Sequence, residues 1–314
     1  MEIIIGSRGS KLALWQSEWV KARLEELGAR VRIEIFKTSG DVMRDVPLAT
    51  IGGQGAFTKE LEVALLAKRI DVAVHSLKDL PTVNPEGLSI TATPEREDAR
   101  DALVLRSDMD ASGASIASLP EGSVVGTSSL RRIAQLKHLR PDVQVKDLRG
   151  NVDTRLRKLD ASWYDALILA SAGLRRLGLG GRVSAAIETD VMLPAVSQGS
   201  LGVQTRADDS ETNALVSRLD HAATRAAVVA ERALLRKLGG GCQVPIAAHA
   251  VVSNGGIRLD GLVASLDGSR VIRGSNTAAP ADAEWVGDRL AALLLEQGAG
   301  ELLSEMPKAD GLSR

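Results

Sequence analysis

The first 180 residues are organised by one recurring pattern, in which a short β-branched or aliphatic run ends in small polar residues and passes directly into helical spacing. Residues 3–5 (Ile-Ile-Ile) lead into Gly6-Ser7-Arg8-Gly9-Ser10, after which Leu12, Leu14, Trp15, Trp19 and Leu24 follow at helical spacing. Residues 71–74 lead into His75-Ser76-Leu77-Lys78-Asp79-Leu80-Pro81, and residues 124–126 into Thr127-Ser128-Ser129-Leu130-Arg131-Arg132. Residues 143–148 lead into Arg149-Gly150-Asn151, and residues 166–169 into Ala170-Ser171-Ala172-Gly173-Leu174-Arg175-Arg176. Strands that alternate with helices are joined by crossovers, so they predict parallel or mixed sheets, an α/β class. Ligands of such sheets bind beyond the carboxyl ends of the strands, where these polar residues fall. Helix capping accounts for the hydroxyls. It does not account for so many arginines, whereas an anion at the helix N-termini does.

The pattern breaks at Thr93-Pro94-Glu95-Arg96-Glu97-Asp98 and again at Leu193-Pro194-Ala195-Val196-Ser197-Gln198-Gly199. Two crossing points predict two lobes joined by two strands, with residues 1–98 and 199–219 in the first and 99–198 in the second. From about His221 the order changes to one helix, strands near 247–252, 257–266 and 270–273, a hairpin turn at Asp267-Gly268-Ser269, and a last amphipathic helix over 281–295. That order predicts a small α+β domain over 220–314.

Aromatic residues make up only 2% of the chain, so the core must be aliphatic, and Phe36, Phe57, Trp15, Trp19, Trp163, Tyr164 and Trp285 are expected mostly inside it. A formal net charge of −1 offers no global attraction to nucleic acid or to an anionic membrane. The charge is uneven, however: residues 123–182 contain twelve Lys or Arg against five Asp and no Glu. An acidic ligand is expected there. The opening run Met1-Glu2-Ile3-Ile4-Ile5-Gly6 reads as a first strand rather than a signal peptide, and no apolar run reaches the length of a membrane span. A cytoplasmic placement follows as the expectation.

Cys242 is the single cysteine, set after Gly239-Gly240-Gly241 and before Gln243-Val244-Pro245. A lone thiol is commonly a small buried hydrophobe. Three glycines give a bulky group close access to the backbone, which suits a covalent attachment point better. A thiol hydrolase needs a histidine to activate the sulfur, and none of His75, His138, His221 and His249 lies in a cysteine-hydrolase motif. One Cys and scattered His provide no metal-ligand spacing, and neither a phosphate loop nor a dinucleotide fingerprint is present.

Several motifs in one order resemble the porphobilinogen deaminase (hydroxymethylbilane synthase) family across nearly the whole chain. They are Ser7-Arg8-Gly9-Ser10 with Leu12-Ala13-Leu14-Trp15-Gln16, Lys59-Glu60-Leu61-Glu62, His75-Ser76-Leu77-Lys78-Asp79, residues 126–132, Leu148-Arg149-Gly150-Asn151, residues 199–202, and the run from Glu231 to Pro245. The resemblance implies two α/β lobes like those of periplasmic binding proteins, with doubly wound mixed sheets facing a cleft, and a third domain presenting Cys242. It implies a dipyrromethane cofactor held by a thioether on Cys242, to which four porphobilinogen units are added before water releases a linear tetrapyrrole. Each unit loses ammonia to form a methylene-pyrrolenine, which the terminal pyrrole α-carbon attacks. The sulfur is then an anchor and not a turnover nucleophile.

Positive charge develops on pyrrole nitrogen during these steps, so the resemblance assigns Asp79 as the stabilising carboxylate. Six rings carry twelve carboxylates, which guanidinium forks suit. Arg8, Arg131, Arg132, Arg149, Arg155 and Arg176 match family positions for that work. Ser10, Ser76, Lys78, Thr127, Ser128, Ser129, Gly150 and Gln198 are further candidate contacts, and Phe57 is a candidate ring packer. Arg131 and Arg132 are adjacent on a helix, so their side chains are expected to diverge by about 100° and serve different carboxylates. Arg157, Lys158 and Arg175 read as solvated helix faces. The partners expected are porphobilinogen and the growing polypyrrole, with no nucleic acid, no membrane and a monomeric chain. The lobes or loops are expected to move as that chain grows.

Gln54 stands where many relatives have Lys in a Gly-Gly-Lys-Gly loop, Ala56 replaces a common Leu, and Ser197 and Ser200 replace residues more often Gly and Ala. A non-enzymatic two-lobed protein that captures an organic anion remains the alternative, since fold alone permits it.

Overall fold

The computed structural model describes residues 1–37, 58–240 and 244–305. Cys242, Phe57, Gln54 and Ala56 therefore lie outside the described residues.

Two five-stranded sheets share one layout. The first joins β1 (Glu2–Arg8), β2 (Arg30–Phe36), β3 (Val72–Ser76), β4 (Leu88–Ala92) and, much later in the chain, β10 (Leu201–Arg206) in the order β2-β1-β3-β10-β4. The second joins β5 (Asp101–Leu105), β6 (Val124–Gly126), β7 (Gln144–Lys146), β8 (Ala166–Ala170) and β9 (Ala185–Ile187) in the order β7-β6-β8-β5-β9. In each, the first three places are parallel, while the fourth strand, β10 or β5, runs antiparallel to both neighbours. That antiparallel strand is the one that follows a passage between sheets, at 93–100 outward and 188–200 on return. Sequence patterning caught the parallel strands β1, β3, β6, β7 and β8 and missed β2, β4, β5, β9 and β10.

Helix Lys11–Glu26 begins at Ser10, whose hydroxyl accepts from the Ala13 amide at 3.3 Å, and buries Ala13, Gln16, Ser17, Val20 and Leu24 along one face. Ile3, Ile5, Val72 and Val74 of the central strands meet Val20 and Leu24 in one core. Helix Leu130–Leu139 covers the second sheet, with Leu136 against Val125, Ala166 and Ile168.

The third sheet is an antiparallel meander of β11 (Ile246–Ser253), β12 (Gly256–Ala264) and β13 (Val271–Ala278). Its third strand runs beyond the expected end at 273, because the register with β12 continues to Ile257↔Ala278. Helices Ala222–Lys237 and Ala283–Glu296 pack on it through Ala230, Leu234, Val286, Leu290 and Leu294. The core is aliphatic as composition demanded, and Trp19 packs against it, but the other three tryptophans are not its members: Trp15, Trp163 and Trp285 are exposed. Trp15 and Trp163 instead lie beneath cations, Arg176 and Lys158 respectively.

Glu231, fully buried, ties both passages to the third sheet. Its carboxylate accepts from Arg96 Nη1 at 2.6 Å and Nη2 at 3.2 Å, from the Ser197 amide at 2.6 Å and from the Ala250 amide at 2.7 Å. Beside it, Gly199 has φ +88, and a Cβ there would lie 2.3 Å from the Glu97 carbonyl oxygen, so only glycine fits. Ser197, by contrast, holds φ +62 with a side chain. Glu231→Gln keeps the volume but loses the charge on several hydrogen bonds, and should lower unfolding free energy by about 1.5 to 3 kcal/mol. Urea denaturation measures this, and an unchanged midpoint would show that Glu231 does not hold the passages.

Candidate active site

The carboxyl ends of the first sheet's strands carry the Arg8-to-Ser10 loop and the turn after β3. Pro81 disfavours helix at the preceding residue, so Leu80 is extended at φ −81, ψ 138 and the turn Leu77–Asp79 ends after three residues. Asp79 is left exposed and Lys78 half-buried. Arg8, Ser10, Gln16, Thr58, His75, Ser76 and Asp79 line one pocket. Within it Gln16 Nε2 donates to Ser76 Oγ at 2.8 Å.

Across from these lie the strand ends of the second sheet. Burial brings the Lys78 ammonium down to about 8, with Asp79 acting in the opposite direction and Arg132 and Arg131 adding to the depression. Burial likewise lowers Arg155 to about 10, with Arg132 depressing it further and Asp147 and Asp79 opposing. Groups from both sheets are thus close enough to perturb one another electrostatically.

Arg131 and Arg132 correct the sequence expectation of divergence. Both are buried and both converge on Asp101, which is wholly inaccessible. Arg131 donates to Asp101 from Nη1 at 2.7 Å and Nη2 at 3.2 Å, and Arg132 from Nε at 3.1 Å and Nη2 at 2.7 Å. Gln198 Nε2 adds a fifth contact at 2.9 Å. Adjacent Cβ atoms do diverge, but long flexible stems let both guanidinium groups turn to one desolvated anion, where charge pairing outweighs the angular difference. Burial pushes the Asp101 carboxyl up, yet Arg131 and Arg132 together hold it well below the usual carboxylate range. Two guanidinium charges and one carboxylate leave this cluster with one net positive charge. Arg131 Nε is buried without a hydrogen-bond partner among the described residues.

The loop carrying Arg149 and Gly150 is held through its carbonyls. Tyr164 Oη donates to Asp147 O at 2.6 Å, Ser128 Oγ to Leu148 O at 2.7 Å, Lys158 Nζ to Arg149 O at 3.3 Å and Arg155 Nε to Gly150 O at 2.8 Å. Gly150 sits at φ +108. Lys158, expected on a solvated face, thus supports this loop, and Arg175 pairs with Asp98 at 3.1 Å. Arg149 pairs with Asp147 at 2.6 Å. Thr127 Oγ1 accepts from the Ser129 amide at 3.3 Å, just ahead of the helix that bears Arg131. Arg176 donates to Gly199 O at 2.7 Å, and burial lowers it to about 10.

Contacts between the two sheet units at this edge are slight. Lys11 Nζ reaches Asp153 at 2.8 Å, and the Arg176 guanidinium stands 5.8 Å from the Trp15 ring. An exposed pair of this kind contributes about 0 to 1 kcal/mol, too little to lock the units together.

Asp101 escaped the sequence reading because its partners are thirty residues away and no local motif marks it. His75 was read as part of the strand-end motif and as a poor thiol partner, without a role of its own. It is buried, in contact with Gln204 Oε1 at 3.2 Å, while Gln204 Nε2 reaches Glu62 at 3.5 Å. Burial lowers its pKa to about 4, with the Gln204 contact opposing and Arg8 adding to the fall. The unfolded chain therefore binds the extra proton first, and stability present above about pH 6.5 is lost as pH falls toward 4, by about 3 kcal/mol. His75→Gln should flatten that part of the urea stability profile; an unchanged acid slope would rule His75 out as its source.

The arginine set fits a polycarboxylate. Arg155 and Arg176 are cations whose described hydrogen bonds go only to carbonyls, leaving guanidinium donors for a ligand. Among the described residues no cluster of His, Cys, Asp and Glu suits a metal ion, and no helix is long and apolar enough to cross a membrane.

The profile "Porphobilinogen deaminase, dipyromethane cofactor binding domain" matches residues 3–214, and "Porphobilinogen deaminase, C-terminal domain" matches residues 225–296. The porphobilinogen deaminase of Syntrophobacter fumaroxidans is 50% identical over 309 residues, covering 98% of each chain. That of Synechococcus elongatus is 51% identical over 306 residues, covering 97% of this chain and 95% of its own. Among solved structures, the methionine-binding protein MetQ aligns over 69% of this chain and 89% of its own, at 14% identity and a TM-score of 0.45. With two profiles in order and relatives of half-identical sequence over the full length, this chain belongs to the porphobilinogen deaminase family and carries its dipyrromethane-cofactor-binding domain.

Proposed function

We propose that the protein is a hydroxymethylbilane synthase that condenses four porphobilinogen molecules on a dipyrromethane primer joined to Cys242, then releases the linear tetrapyrrole by hydrolysis. The observation that carries this reading is the Asp79 pocket at the strand ends of the first sheet, with the Lys78-Asp79 turn electrostatically coupled to Arg131, Arg132 and Arg155, in a chain with the family's cofactor domain. When bound, the dipyrromethane supplies a pyrrole α-carbon nucleophile at which the chain grows.

Asp79, exposed at the pocket, stabilises the positive charge that develops on pyrrole nitrogen as ammonia departs and as the carbon bond forms. It also exchanges a proton with the leaving amine. Arg8, Arg149, Arg155 and Arg176 bind acetate and propionate groups, each charge-assisted bond contributing about 1.5 to 3 kcal/mol. Arg131 and Arg132, already sharing Asp101, offer the ligand the remaining positive charge of their cluster. Ser10, Ser76, Thr127, Ser128, Ser129, Gly150, Lys78 and Gln198 line or support these contacts, and Phe57 packs against a ring. The working division is 1–98 with 199–219, 99–198, and 220–314, and the enzyme acts as a cytoplasmic monomer.

The test is the denatured intact mass of freshly purified protein beside Cys242→Ser. An excess equal to two linked pyrroles in the parent and none in the variant is the expected result. A parent that stays unmodified after incubation with porphobilinogen or preformed hydroxymethylbilane would turn the assignment to a non-enzymatic organic-anion binder.

A further inference from the structure

The helix Ala222–Lys237 runs directly into the glycines before Cys242, and it also reaches the turn that carries Asp79. Val228 and Arg232 lie four residues apart, hence on one face. Val228 packs with Leu77 and Leu80, with Ile90 against them. Arg232 donates from Nη1 to the Leu80 carbonyl at 3.3 Å and from Nη2 to the Pro81 carbonyl. These are the two carbonyls immediately after Asp79. Because Leu80 is extended ahead of Pro81, the Leu77–Asp79 turn cannot continue as a helix that would satisfy them.

Among the described residues no carboxylate pairs with Arg232. Burial lowers it to about 10, with Arg236 adding to the fall, so it remains a cation at neutral pH. A desolvated guanidinium is retained here for a two-carbonyl clasp that neither a lysine nor an apolar side chain reproduces. The other Arg232 neighbour on the helix, Glu231, ties the same helix to both inter-sheet passages.

We infer that Arg232 is a positioning residue that fixes the Lys78-Asp79 turn to the helix preceding Cys242 in sequence, so that the Asp79 carboxylate is held to one rigid element. This rests on the proposed function. A misplacement of about 1 Å at a reacting centre costs on the order of a hundredfold in rate, so losing the clasp should act on turnover more than on substrate affinity.

Arg232→Met keeps the stem and removes the fork; Arg232→Lys keeps the charge and one donor. For Arg232→Met the expected result is a kcat lowered tenfold or more, KM for porphobilinogen within about threefold, and the two-pyrrole mass excess retained. Combined with Asp79→Glu, it should slow the reaction by less than a further twofold, since both changes act through one carboxylate. A kcat within twofold of the parent, rate losses that multiply with Asp79→Glu, or a variant lacking the mass excess would each overturn the inference. Should Arg232→Met not fold, Arg232→Lys is read instead: a kcat lowered threefold or more with the excess retained supports it, and an unchanged kcat overturns it. A parent without mass excess or porphobilinogen consumption would defeat the functional reading itself, and is seen without any Arg232 variant.

Discussion

Asp79→Ala should yield a folded protein that condenses porphobilinogen about a hundredfold to ten-thousandfold more slowly than the parent, the usual span for loss of a positioned acid-base group. Folding should survive because Asp79 is exposed and closes a turn that Leu77, Leu80 and Val228 hold by packing. The change removes the carboxylate from a pocket edge where the other charges are cationic: Arg8 lines the same pocket, and Lys78 is adjacent. A cation forming on pyrrole nitrogen would then meet only like charge. Single-turnover rates with the urea midpoint recorded alongside make the test. Undiminished turnover would remove Asp79 from the mechanism, whereas Asp79→Asn recovering little would show that charge, and not hydrogen bonding alone, is needed.

Asp101→Ala is expected to be the most damaging substitution for the fold. It leaves Arg131 and Arg132 buried with their shared anion gone, a situation that typically costs about 3 to 5 kcal/mol. Gln198 loses a partner at the same stroke. The guanidinium groups lose the anion that fixes their orientation, so the purified variant should also lack the two-pyrrole mass excess. The sign of the pH effect follows from the depressed carboxyl. Its contribution is fully present above the unfolded value of about 3.9 and is lost only as pH falls through the lower folded value. The difference in urea midpoint between parent and variant should therefore stay constant from about pH 5 to 6.5, above the Asp101 titration and below that of Lys78, whose ammonium Asp101 also supports. A difference that grows or vanishes across that interval, or a variant as stable as the parent, would show that Asp101 is not the anion that neutralises the pair.

Much of the site was legible because its residues are tied to local backbone demands. Ser10 caps a helix, Gly150 occupies a positive φ, and Pro81 stops the turn behind Asp79, so each leaves a mark within a few positions. The parallel strands β1, β3, β6, β7 and β8 were legible for the same reason, being short apolar runs that end in small polar residues, whereas the parallel edge strand β2 was missed. Strands β5 and β10 were not legible either, since each takes its place through pairing with strands far along the chain. The exposed tryptophans show a limit of composition: scarcity argued for burial, while Arg176 and Lys158 provided surface partners.

By itself the sequence determined the α/β class, the uneven positive charge of residues 123–182 and the identity of the candidate groups, because propensity, charge and motif order are properties of neighbouring residues. The tertiary structure alone decided which charges neutralise one another. Asp101 lies between Arg131 and Arg132, Glu231 lies between both passages and the third sheet, and Arg232 reaches Leu80 and Pro81. Each pairing exists because burial removes water as the competing partner, and which groups are buried together depends on how three sheets pack, which no local stretch of chain encodes.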